Sequence, residues 1–174
     1  MKTFFFIIFC VFSLISFSQT NFEWEKNQEV VKSKSEFYSD TKSFIAENFN
    51  SANDVIQNDD KDNGIIIVKA ISVQKPGTFY GDIFKYSYLI KFQMKDSLCR
   101  IIITNVQCFE AYHIYDGQLT NVPCIPPYEG DEIPVKVGAV ISKKKAKEMM
   151  ISLKSELQNI FDKYIVYIQE KHTF

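Results

Sequence analysis

The sequence predicts an α+β domain: an antiparallel sheet of at least four strands with two helices on one face, in the order α-β-β-β-β-loop-α. Three observations carry this. From Ile83 to Lys95, Phe84, Tyr86, Tyr88, Ile90, Phe92 and Met94 alternate with Lys85, Ser87, Leu89, Lys91, Gln93 and Lys95, the period of a strand with one buried and one wet face. From Ser142 to about Lys171 there is no Pro or Gly, and Ala146, Met149, Met150, Leu153, Leu157, Ile160, Phe161, Tyr164, Ile165 and Ile168 form one helical stripe. Short turns join the strand-like segments that precede that helix, which makes neighbouring strands antiparallel.

The elements follow in chain order. Residues 1–18 have the order of a secretory signal: Lys2, an uncharged apolar run from Thr3 to Phe17, then small residues. Ser16 and Ser18 stand at the −3 and −1 positions of a cut between Ser18 and Gln19. The run is shorter than the roughly 20 apolar residues that span a bilayer core of about 30 Å, so cleavage is expected rather than anchoring. Phe9 ahead of Cys10 argues against a lipoprotein cut. Residues 19–33 are a polar N-terminal segment with scattered Phe22, Trp24, Val30 and Val31 and receive no element.

The domain is expected over 34–174. Ser33 and Glu36 read as a capping box, and Phe37, Thr41, Phe44, Ile45 and Phe49 recur at helical spacing, so a helix is predicted over about 34–50. The short apolar pair Val55-Ile56, the break at Asp59-Asp60-Lys61-Asp62-Asn63-Gly64 and the run Ile65–Val73 read as a hairpin, with Asn63-Gly64 supplying the turn. Pro76-Gly77 and Lys95-Asp96-Ser97 turn the chain before and after the alternating strand, and Leu98–Tyr112 returns as the next one. Residues 113–135 hold four of the five Pro, which forbids a central strand or helix, and are read as a long loop or irregular edge. The helix at 142–171 would span roughly 45 Å at 1.5 Å per residue, so its end is expected to overhang or to meet something else.

Composition narrows the function classes. The 174 residues are 46% apolar, enough for one core, and 16 Phe with 9 Tyr exclude intrinsic disorder. Lys plus Arg is 20 against 21 Asp plus Glu, so no global field draws nucleic acid or an anionic membrane. Counted from Asp59, a calcium loop would need an oxygen ligand at Lys61 and an acid at Ala70, so the motif is read as a hairpin turn. His113 and His172 have no zinc-site spacing, and no metal or cofactor is expected. Cys99 and Cys108, nine apart on one strand, are expected on opposite faces and unable to pair. Cys108 and Cys124 are the candidate disulfide, tethering the Pro-rich loop, with free buried thiols as the alternative. The basic run Lys143-Lys144-Lys145 with Lys147 is read as a solvated first turn.

The stretch from about Lys34 to Glu110 resembles a bacterial domain-of-unknown-function family with a TBP-like fold, common in signal-bearing envelope proteins. The resemblance lies in Ser35-Glu36-Phe37-Tyr38, Phe44-Ile45-Ala46, Asp59-Asp60, Gly64-Ile65-Ile66, Tyr86-Ser87-Tyr88, Lys95-Asp96-Ser97-Leu98-Cys99-Arg100 and Ile103-Thr104. Phe44 stands where the family often has Trp, and Ser97 where it usually has a turn Gly. The resemblance implies a fold and no chemistry. TATA-box binders apply an open sheet face to the minor groove, but here the aromatic face is needed for the helices, and an exported protein meets no chromosome, so nucleic acid is not an expected partner.

Function is therefore expected to lie in an exported, periplasmic or extracellular, non-enzymatic module. Its candidate binding face carries Lys85, Lys91 and Lys95, its partner is a protein or another envelope component, and self-association through the long helix is a further option. The alternative is a thiol- or His-dependent enzyme at Cys108, His113 and Asp116.

Overall fold

Along β4 (Asp82–Lys95) every second residue from Phe84 to Met94 is buried while those between are partly exposed, so the sheet has one packed face. The structure is a computed structural model describing residues 23–75, 81–128 and 141–170. Before β4 come β1 (Trp24–Glu29), α1 (Lys34–Asn48), the single turn α2 (Ala52–Val55), β2 (Ile56–Asp60) and β3 (Ile65–Gln74). After it come β5 (Leu98–Tyr115), β6 (Gln118–Asn121) and α3 (Lys143–Glu170). The strands are all antiparallel in the order β1-β5-β4-β3-β2, and β6 pairs with the far end of β5. Both long helices pack on one face, the α+β arrangement expected from the sequence.

Helix α1 starts at the expected box. The Glu36 amide donates to Ser33 Oγ at 3.3 Å and the Ser33 amide to Glu36 Oε2 at 2.8 Å, a cap worth about 1 kcal/mol. Asp96, in the β4–β5 turn, accepts from the Lys34 amide at 2.8 Å and so fastens that turn to the same helix end. Ser97 beside it has φ 62°, the left-handed conformation for which a glycine is the easier residue. Phe37, Phe44 and Ile45 face inward and meet β4 and α3. The Phe44, Phe92 and Tyr164 rings form a triangle with centroids 4.8–6.4 Å apart. Each such pair adds about 0.5–1.5 kcal/mol beyond burial alone. The Tyr164 hydroxyl meets Thr41 Oγ1 at 2.6 Å and Cys99 Sγ at 3.1 Å, so it is satisfied where no water reaches it. Burial pushes the Cys99 thiol up to about 11, which marks it as a core residue.

Four features differ from the sequence reading. The N-terminal segment supplies β1, which pairs Trp24 with Ile103 through Glu29 with Leu98. Its inward positions are Trp24, Lys26 and Gln28, too polar for a period of two to show, and Lys26 reaches Asp162 of α3 at 2.9 Å. The end of α3 does not overhang: Ile168 is fully buried, and buried Lys32 donates to its carbonyl at 2.5 Å while pairing with Asp40 at 2.6 Å. Residues 113–121 form a hairpin rather than a loop, because Asp116 and Gly117, with φ 48° and 76°, make a two-residue turn and the prolines come only after β6. A bulge at Asn105, φ 54°, changes the parity of β5, so Cys99 and Cys108 share the packed face instead of taking opposite ones. The expected signal segment with its Ser18-Gln19 cut, the Pro76-Gly77 turn, residues 129–135 of the Pro-rich stretch and His172 lie outside the described residues.

Candidate functional site

Lys85, Lys91 and Lys95 all point away from the helices, but they do not form one patch. Across ten residues of strand they spread over roughly 33 Å. Lys85 is paired with Glu110 at 2.6 Å, which raises its affinity for a proton, and stands 5.5 Å from the Tyr112 ring centroid. Lys91 lies in register between Ile67 and Ile102, and Lys95 ends the strand. Among the described residues neither has an ion-pair partner. Arg100, a further cation of this face, is paired with Glu25. The face is therefore mixed in charge, and much of it is aliphatic: Ile65, Ile67, Ile71 and Val73 from β3, Leu89 from β4 and Ile102 from β5. Among the described residues no helix or second sheet covers it.

The edge of this face at β3 changes character halfway along the strand. Asp60 stands opposite Ile65, and the register runs back to Ile56 opposite Val68, so β2 covers only the first part of β3. The turn between them is tight: Gly64 has φ 65°, and a Cβ there would come within 2.5 Å of the Met94 carbonyl oxygen, so only glycine fits. Asp60 accepts from both the Asn63 amide and its side chain at 3.0 and 2.7 Å, which uses the loop carboxylate for the turn itself. Beyond Val68, β2 would need residues 50–55 as strand, but these form a left-handed turn at Ser51 and the helical turn α2. The edge from Lys69 to Gln74 is left without a strand neighbour among the described residues. Directly above it is a cleft of about 560 Å³, walled by Phe49 and Val55 on one side and by Asn159, Ile160 and Lys163 of α3 on the other. Glu156 holds one end by accepting from Ser72 Oγ at 2.6 Å and Gln74 Nε2 at 2.8 Å. The sequence pattern marks the hairpin and its Asn63-Gly64 turn; how far β2 reaches along β3 depends on the register, and the cleft above the edge on where α3 crosses.

The cysteine and histidine residues are distributed differently. Cys108 and Cys124 lie against each other as free thiols. Burial first, and then the neighbouring Cys124, push the Cys108 thiol up to about 12, the reverse of what a thiolate nucleophile needs. His113 Nδ1 contacts Asp82 Oδ1 at 2.7 Å across the β4–β5 ladder. Asp116 sits in the β5–β6 turn, and neither cysteine is a hydrogen-bond partner of His113. Cys108, His113 and Asp116 are thus close in sequence without forming a relay. The lysines at 143–145 and 147 are exposed on the first turn of α3. Among the described residues no group of three His, Cys, Asp or Glu side chains is placed to hold a metal ion, and no helix is long and apolar enough to cross a membrane.

With six antiparallel strands carrying two helices on one face, the comparison that bears on this geometry is one of fold. Residues 28–109 match DUF4468, a domain of unknown function with TBP-like fold. The DUF4468 match begins in β1 and ends in β5, somewhat ahead of the Lys34–Glu110 span of the sequence resemblance, and takes in just under half of the chain. Solved structures extend the likeness over more of the chain. A TBP-like protein from Parabacteroides distasonis aligns over 87% of this chain and 94% of its own, with a TM-score of 0.60 at 14% identity. A DUF4468 family protein from Bacteroides ovatus aligns over 82% and 85%, with a TM-score of 0.50 at 11% identity. Likeness at these identities establishes the TBP-like fold and carries no activity. No curated protein matches the chain.

Proposed function

We propose that the chain is a DUF4468 protein of the cell envelope: exported by the segment ending at Ser18, free of catalytic activity, and built to hold a protein partner on the sheet face that points away from the helices. The observation that carries this reading is the uncovered aliphatic surface of β3, where Ile71 is 57% and Val73 47% exposed beside half-buried Leu89 and Ile67. Export is supported by the charged, apolar and small-residue order of residues 1–18. A binding role is supported by Lys91, beside that surface, and Lys95, at the end of the strand, which have no ion-pair partner among the described residues and add orientation to an apolar contact. The high proton affinity of the Cys108 thiol gives the thiol-enzyme alternative no support.

The test has two arms. N-terminal sequencing of the protein recovered from an envelope or culture fraction should begin at Gln19; an intact Met1 start in the cytoplasm would refute export. Crosslinked capture from the native envelope should retain a specific partner with the wild-type chain and lose it with Leu89→Glu, Lys91→Glu, once circular dichroism shows that variant folded. Equal capture by both would remove the sheet face from the proposal.

A further inference from the structure

The half of β3 that β2 leaves uncovered is a docking edge of a particular chemistry. In an antiparallel strand every second residue turns both its N–H and its C=O toward the same neighbour. Between Lys69 and Gln74, alternate residues therefore aim their backbone groups at the open side, where no strand stands among the described residues. Ile71 and Val73 stand on the outer face of this stretch, and on the inner face Ala70 is small enough for the cleft above it to reach the strand. An exposed edge of this length with apolar side chains is a template for another strand unless something opposes pairing.

What opposes pairing here also selects the partner. Lys69, on the outer face, and Lys75, which directly follows β3 and continues its alternation, bracket the edge, both exposed and without an ion-pair partner among the described residues. A second copy centred on Ser72 would set Ile71 against Val73 but also Lys69 against Lys75 twice, and like charges directly opposite are destabilising. An incoming strand with carboxylates at those two positions meets two cations instead. We propose that the Lys69–Gln74 edge binds an extended peptide segment of another protein, added antiparallel as a further strand. Its two aliphatic residues lie opposite Ile71 and Val73, its acidic residues lie opposite Lys69 and Lys75, and one apolar side chain enters the cleft over Ala70. This is strand addition, with backbone bonds giving affinity and alternate side chains giving specificity. It rests on the reading of the protein as a binding module and names the partner's chemistry.

The probe is a fluorescent heptapeptide, Glu-Thr-Val-Thr-Val-Leu-Glu, beside the same peptide with Lys at both ends, titrated into the mature chain and into the Lys69→Glu, Lys75→Glu variant. Both substituted positions are exposed, so the variant should stay folded. The wild type should prefer the Glu-ended peptide by about tenfold, the variant should reverse that preference, and bound peptide should slow hydrogen exchange at residues 69–74. No binding, a preference untouched by the charge reversal, or protection elsewhere than β3 would overturn the proposal. If the peptide fails while envelope capture still depends on Leu89 and Lys91, the module reading stands and the edge is wrong; if both fail, both fall.

Discussion

On the helix side of the sheet, Phe84, Tyr86, Ile90 and Phe92 have no exposed surface, whereas on the other side of the same strand Lys85, Ser87, Leu89, Lys91 and Gln93 all keep contact with solvent. The first set is held by volume: rings and aliphatic chains from α1 and α3 close over it, and the polar joint Thr41–Tyr164–Cys99 within it is internally satisfied. The second set is held by pairing between strands, with Lys85 on Glu110 and Arg100 on Glu25. A sheet with one face spent on its own stability has the other available for contact. Here the second face runs into the Lys69–Gln74 edge of β3, which has no strand neighbour among the described residues.

Four substitutions probe the contrast, a matched pair on the two faces first and then, in decreasing order of effect, two buried polar contacts. Phe92→Ala removes a ring from the Phe44–Tyr164 triangle and should lower unfolding free energy by about 3–5 kcal/mol, while Leu89→Ala on the opposite face should lower it by less than about 1 kcal/mol, both read by urea denaturation. Comparable losses would mean that the second face is also packed. Lys32→Ala leaves half-buried Asp40 and the Ile168 carbonyl without their cation, and a loss of about 3 kcal/mol is expected. Tyr164→Phe keeps the ring and deletes the hydroxyl shared by Thr41 and Cys99, for a loss of about 1–2 kcal/mol.

The smallest effect is a pH dependence at the β2 edge. Lys42 first, and the Tyr38 hydroxyl second, hold the Asp59 carboxyl below its ordinary value of 3.8. A carboxylate with a lowered folded-state value adds stability above its unfolded value, and that stability is lost as pH falls through the folded one. Asp59→Asn should therefore cost less than about 1 kcal/mol at neutral pH, since the pair is partly exposed, and that cost should disappear once pH has fallen through the folded-state value, where the wild-type carboxyl is protonated too. A difference that persists in acid would show that Asp59 acts through its shape or hydrogen bonding rather than its charge.

Most of the packed face was legible in the sequence because it repeats: the period of two in β4, the stripe of α3 and the Ser33–Glu36 box each declare an element and its inward side. The parts that were not legible lack repetition. β1 is a polar segment that becomes a strand only because Leu98–Ile103 offers it an edge. The bulge at Asn105 changes which face Cys108 takes without any glycine to mark it. Lys32 reads as a surface lysine and is buried because α3 ends on it. The lysines of the proposed binding face were visible, but Lys85 is neutralised by a residue 25 positions away that no local pattern connects to it. The open edge of β3 needed both the register of the β2 hairpin and the path of α3, which are properties of the folded chain.

Native-state hydrogen exchange along β3, without ligand, tests most directly the claim that this edge is open. Amides over Ile65–Val68 should be protected, while between Lys69 and Gln74 protection should alternate, with those aimed away from β4 exchanging at least about a hundredfold faster. Uniform protection from Ile65 to Gln74 would mean that the edge is already covered and not free to take a further strand.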